Sequence, residues 1–235
     1  FSRLQDEDVS PQDYLAWVKK ENAKKINAKS EDEKIELEKW EELANAYKMY
    51  DEIKVKENVL DFGDVIVKTL KLFRDRKNIL ASYQKQFKCL LVDEFQDTNF
   101  AQNELAILLS GKQKNINVVG DDDQSVYRFR GAAVSNILQF RKTFPKTKVI
   151  VLTKNYRSTQ EILDRSYDLI QHNNPDRLEV VEKIDKRLQS MSKSKGEAEI
   201  EFIHADRVEN ESDQIAKKIL DLINHSSNQQ LNYKD

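Results

Sequence analysis

At Lys88-Cys-Leu-Leu-Val-Asp-Glu-Phe-Gln-Asp-Thr-Asn99 the chain changes its grammar. Before it the sequence has the composition and spacing of helices; from it onward short apolar runs alternate with helical stretches, the pattern of a parallel sheet with crossover helices. Cys89 to Val92 reads as a short buried strand and Ala101 to Leu109 as a helix. The alternation continues with Ile116 to Val119 as a second strand, Val134 to Phe144 as a helix, Val149 to Leu152 as a third strand, and Thr159 to His172 as a helix. Further on, Asn173 to Lys195 reads as an irregular connection, Glu199 to Ile203 as a strand and Val208 to Ile223 as a helix. The tail from Ser226 reads as unstructured.

Upstream, Ser10-Pro11 with Asp13 and Ser30 with Glu33 are helix-start signals. Ile35, Leu37, Trp40, Leu43, Ala44, Tyr47 and Tyr50 then recur at helical period. A second helical stretch is expected from Phe62 to about Phe87. The fold class expected is therefore α/β, with a helical subdomain ahead of the sheet. The boundaries fall at residues 1–59, 60–145 and 146–235, the last of them at Phe144-Pro145.

The first strand runs straight into Asp93-Glu94, and the carboxyl ends of parallel strands are where open α/β sheets bind ligands. Asp93 there can hold Mg²⁺, which prefers oxygen ligands, while Glu94 can orient or deprotonate a water. The same residues also read as a turn leading to a helix cap, since Asp97, Thr98 and Asn99 are capping types. One crossover later Val119-Gly120-Asp121-Asp122-Asp123-Gln124 repeats the design, either as a second ligand-facing turn or as a solvated acidic one.

The chain carries 39 Lys+Arg against 41 Asp+Glu, a net charge of −2, so bulk charge selects no partner. Local charge is more informative: from Gln124 to Gln160 there are basic residues and no acidic one. Within that block Tyr127-Arg128-Phe129-Arg130 interleaves aromatic and guanidinium groups, which suits stacking on unpaired bases beside backbone phosphate; burial of Tyr127 and Phe129 in a core is the alternative. Asn155-Tyr156-Arg157-Ser158-Thr159 follows the third strand. Arg157 can neutralise phosphoryl charge there, or pair with a surface acid while Ser158 or Thr159 caps the next helix. A single cysteine fits a reducing compartment, three scattered histidines give no zinc spacing, and no apolar run reaches the ~18 residues of a membrane span. Only five glycines occur, none in G-x-x-x-x-G-K-[ST] or G-x-G-x-x-G spacing.

Together, Leu91-Val-Asp-Glu-Phe-Gln-Asp-Thr-Asn99, the run from Val119 to Ala132 and Leu152-Thr-Lys-Asn-Tyr-Arg-Ser-Thr159 resemble successive motifs of the UvrD/PcrA/Rep superfamily 1 DNA helicases. The resemblance is close from Leu60 to Asn173 and looser in the flanks. It implies a partial RecA-like P-loop NTPase core preceded by a helical accessory subdomain, with ATP and Mg²⁺ as cofactors. It also implies single-stranded DNA and duplex junctions as substrates, repair or replication proteins as partners, a cytoplasmic location and 3′ to 5′ polarity.

By the same resemblance Asp93 binds the metal, Glu94 is the catalytic base, Gln124 senses the γ-phosphate, Arg157 contacts phosphate and Tyr156 stacks on adenine. Tyr127, Phe129 and Arg130 couple the ATP site to DNA, with Phe129 where Trp is frequent. Leu60-Asp61-Phe62-Gly63-Asp64 is similar to an L-D-F-D-D stretch of the family, with Gly63 in place of Asp. The family's Walker A loop and later arginine motifs have no counterpart here, so the chain is expected to be an internal piece that does not hydrolyse ATP by itself. A RecB/AddA-type helicase-nuclease is the neighbouring alternative. A non-catalytic single-strand-binding or partner-docking module is the alternative outside enzymes.

Overall fold

The computed structural model describes residues 1–24, 30–125, 134–192 and 200–225. The chain divides into two compact units, Phe1–Ile150 and Val151–Asp235.

The first unit opens with helices α1 (Ser2–Asp6), α2 (Pro11–Lys24), α3 (Glu31–Glu57), α4 (Phe62–Asp75) and α5 (Lys77–Gln86). Ser30 caps α3 as its spacing predicts, accepting from the Glu33 N–H at 3.2 Å. The helix ends at Asn58 in the left-handed region that asparagine tolerates. Where α2 and α3 pack, Val18 and Ala44 are buried and Trp17 lies 5.0 Å from Trp40 between ring centroids. The helical stretch expected from Phe62 to Phe87 is two helices, broken at Arg76, whose φ of −118° and ψ of 78° are not helical. The break turns the chain so that Leu70 and Phe73 of α4 and Leu80 of α5 are all buried.

After α5 come β1 (Leu90–Val92), α6 (Phe100–Ser110), β2 (Ile116–Val118) and α7 (Val134–Thr143). The strands pair in parallel with Leu90 opposite Ile116 and Val92 opposite Val118. Alternation puts Val92, Ile116 and Val118 against the cluster of Phe95, Phe140 and Phe144. Phe95 meets Phe140 edge-on, 5.5 Å between centroids. On the opposite face Leu91 is 79% exposed, and Cys89 is exposed and precedes the strand. The expected buried strand is thus covered on one face only.

In the second unit β3 (Lys154–Asn155), α8 (Gln160–Ile170), α9 (Leu178–Val181), β4 (Gln189–Ser190) and α10 (Val208–His225) follow. Three expectations fail here. The apolar run Val149 to Leu152 is exposed and forms no strand; the ladder starts two residues later, where Lys154 pairs in parallel with Gln189 and Asn155 with Ser190. The supposedly irregular 173–195 segment supplies both α9 and β4. Residues 200–203 form no strand. Pairing partners select strands, and β-propensity alone only marks residues that fit a half-buried pleat. The fold is mixed, mainly helical with two small parallel sheets, and no described helix is long and apolar enough to cross a membrane.

Candidate active site

Parallel pairing brings the two acidic strand ends side by side. The ladder runs on past the strands: the Val119 N–H donates to the Val92 carbonyl at 2.8 Å and the Phe95 N–H to the Val119 carbonyl at 2.9 Å. Asp93 and Glu94 therefore leave β1 beside Gly120 and Asp121 leaving β2. Both carboxylates are exposed, and Asp93 Oδ1 accepts from the Glu94 N–H at 3.0 Å. Glu94 has φ 48° and ψ 43°, a left-handed backbone that costs a non-glycine residue ~1–2 kcal/mol. The tight turn drops Phe95 and Gln96, each 1% exposed, straight into the interior.

Gln96 joins the two strand ends. Its Nε2 donates to Glu94 Oε2 at 2.6 Å, and its Oε1 accepts from the Asp121 N–H at 3.0 Å. Gly120 leaves room for it: a Cβ there would lie 2.9 Å from Gln96 Oε1 and 3.3 Å from its backbone nitrogen. Asp121 then caps a single 3-10 turn, Asp122–Gln124, accepting from the Asp123 N–H at 3.2 Å and from Gln124 Nε2 at 2.9 Å. Carboxylate oxygens of Asp121, Asp122 and Asp123 lie within 4.8 Å of one another. These three carboxylates make an all-oxygen cluster, the chemistry that suits Mg²⁺; Asp93 is not part of it and follows the neighbouring strand. The capping alternative also holds in part: Asn99 and Gln102 form a reciprocal capping box on α6, at 2.9 and 3.0 Å. That box leaves Asp93 and Glu94 unused.

Arg157 and Tyr156 belong to the second unit, on the turn from β3 to α8. Asn155 Oδ1 accepts from the N–H groups of Arg157 and Ser158, both at 2.9 Å, which holds the turn. Ser190 of β4 donates its hydroxyl to the Ser158 carbonyl at 2.7 Å, and Gln160 Oε1 accepts from the Ser190 N–H at 2.9 Å. Tyr156 is 72% exposed. The capping alternative is not realised, since Thr159 stands at the N-cap of α8 without a side-chain cap bond, and Arg157 is exposed. Tyr127, Phe129 and Arg130 lie outside the described residues.

The Leu60–Asp64 stretch builds a buried polar knot that spacing gave no sign of. Asp61 and Asp64 form a capping box on α4, and Lys54, 4% exposed, bridges them at 3.0 and 2.7 Å. Tyr50 and Gln5 also donate to Asp61, at 3.0 and 3.1 Å. Burial opposes ionisation of Asp61, yet the Asp64 N–H, Lys54, Tyr50 and Gln5 together hold its carboxyl down at about 2. A Cβ at Gly63 would come 2.4 Å from Gln5 Oε1, so glycine here makes space for the glutamine. Gln96, Asn155 and Gln5 carry much of this geometry, and all three escaped the sequence reading because each acts on groups distant or hidden in the backbone. The one signal for Gln96 was a glycine at the second strand end.

The family model described as UvrD/REP helicase N-terminal domain matches residues 2–145, and that described as UvrD-like helicase C-terminal domain matches residues 150–234. Among similar proteins, the ATP-dependent DNA helicase PcrA of Leuconostoc citreum is 46% identical over 134 residues, 57% of this chain and 18% of that protein. The proteins of the same name from Staphylococcus epidermidis and Bacillus subtilis are 46% and 44% identical over 131 residues, 56% of this chain and 18% of each relative. The matched part of the chain thus spans less than a fifth of these relatives. With both family models matching in chain order, this chain belongs to the UvrD/REP helicase family.

Proposed function

We propose that the chain is part of an ATP-dependent, 3′ to 5′ DNA helicase that couples Mg²⁺-dependent ATP hydrolysis to movement on single-stranded DNA. In this reading residues 60–145 form the second half of one RecA-like domain, residues 146–235 begin another, and residues 1–59 belong to a helical accessory subdomain. One observation carries it: two parallel strands end side by side in carboxylates, with Glu94, Asp121 and the sensor candidate Gln124 tied together by hydrogen bonds. Bound Mg²⁺ would neutralise charge on the phosphates, with Asp93 as its ligand from this chain.

Glu94 takes the proton of the attacking water. Its carboxylate is exposed and aimed by Gln96, as a base needs. Gln124 contacts the γ-phosphate. Arg157 stabilises the charge of the transferred group, and the open Tyr156 ring stacks on the adenine. Tyr127, Phe129 and Arg130 pass the state of the ATP site to bases of single-stranded DNA. Duplex junctions in repair or replication are the proposed setting, in the cytoplasm.

The test is ATP hydrolysis stimulated by single-stranded DNA in the intact protein that carries this chain. E94Q should lower kcat by roughly 10²-fold or more with the KM for ATP within about threefold. Wild-type turnover in E94Q refutes the assignment.

A further inference from the structure

We infer that Gln96 is a positioning residue that fixes the Glu94 carboxylate relative to the acidic turn at Asp121–Gln124, so that base and phosphate sensor are held as one unit. The inference rests on the reading of Glu94 as the base.

A carboxamide is the side-chain group of this size that donates at one end and accepts at the other. Here both ends are used: Nε2 on Glu94 Oε2 at 2.6 Å, Oε1 on the Asp121 N–H at 3.0 Å. Among the described residues Gln96 is the one side chain that donates to the Glu94 carboxylate. Without it an exposed glutamate with three side-chain torsions samples many positions, and a misplacement of ~1 Å at a reacting group costs on the order of 10²-fold. The bridge is itself rigid. Gln96 is 1% exposed, follows Phe95 anchored in the aromatic cluster, and lies against Gly120 with no room for even a methyl group. From Asp121 the link continues, since its Oδ2 accepts from Gln124 Nε2 at 2.9 Å. A shift of Gln124 toward a ligand is therefore felt at Glu94 through two side chains.

Two substitutions separate the ends of the bridge. Q96E keeps an acceptor for the Asp121 N–H but sets a carboxylate against Glu94; Q96M keeps the volume and removes both bonds. In the intact protein Q96E should lower kcat for DNA-stimulated ATP hydrolysis at least tenfold, with the KM for ATP within about threefold. Hydrogen exchange at the Asp121 amide should remain protected in Q96E and lose roughly tenfold protection in Q96M. The double variant E94Q/Q96E should be no slower than E94Q, because Gln96 acts through Glu94. If thermal melting shows Q96E unfolded, Q96M carries the test, with the same loss of kcat expected. An inactive E94Q beside Q96E or Q96M at wild-type kcat overturns this inference alone, as does a Q96E loss that adds in full to that of E94Q. An active E94Q overturns the Glu94 reading and this inference with it.

Discussion

Replacing Lys54 by Met should destabilise the first unit strongly, because it strands the buried carboxylate of Asp64 and leaves the partly exposed Asp61 beside it without its cation. Lys54 and Asp64 are each 4% exposed, and the ammonium lies 2.7 Å from Asp64 and 3.0 Å from Asp61. Removing one partner of a buried pair costs about 3–5 kcal/mol. Lys68 stands 3.9 Å from Asp64 and can take over part of the charge, which puts the expected loss near ~3 kcal/mol, or ~10 °C in a unit of this size.

The pH dependence follows from Asp61. Its folded pKa of about 2 lies below the ordinary 3.8, so its share of stability is present above pH 4 and is lost as pH falls toward 2. That share is at most ~2 kcal/mol for a carboxylate still a quarter exposed. Urea unfolding of wild type and K54M at pH 7, 4 and 3 measures both effects. The gap should be widest at pH 7 and should narrow below pH 4, and adding Asp61→Asn and Asp64→Asn to K54M should recover more than half of it. A melting loss under ~2 °C at pH 7, or a gap independent of pH, refutes the account of the knot.

Gly120→Ala should cost about 1–3 kcal/mol by pushing Gln96 off its bridge, read as a lower urea midpoint together with lost exchange protection at the Asp121 amide. Asn155→Ala should leave the helices intact and speed exchange of the Arg157 and Ser158 amides roughly tenfold, since one side-chain oxygen holds both. Tyr156→Ala should change the melting temperature by less than ~1 °C, the ring being largely solvated, and raise the KM for ATP in the intact protein. The 235-residue chain alone should show no magnesium-dependent ATP hydrolysis, since it holds no glycine loop to cradle phosphates; turnover by the purified chain counts against the division of the site.

Local physics was legible residue by residue. Ser30 caps α3 because a hydroxyl three residues before Glu33 reaches its N–H, and both partners lie within one helical turn of sequence. β1 and β2 were legible for a similar reason: short apolar runs bounded by acidic turns need only one crossover helix to pair. The motifs around Asp93, Gly120 and Arg157 placed the chain in its family, because side-chain types at fixed spacing reflect chemistry that local backbone geometry can satisfy.

Sequence alone therefore determined the alternation from β1 through β2, the Ser30 cap and the identity of the acidic and basic junctions. Tertiary structure decided what touches what across long separations. The strand expected at Val149 to Leu152 yields to Lys154–Asn155 because its partner, Gln189–Ser190, sits in a polar segment with no periodic signal. The Gln96 bridge joins residues 25 positions apart, and the Lys54 knot draws on Gln5, Tyr50, Asp61 and Asp64 from three helices and a helix start. Hydrogen bonds and ion pairs are short-ranged and directional, so their partners are fixed only once packing has brought distant backbone together.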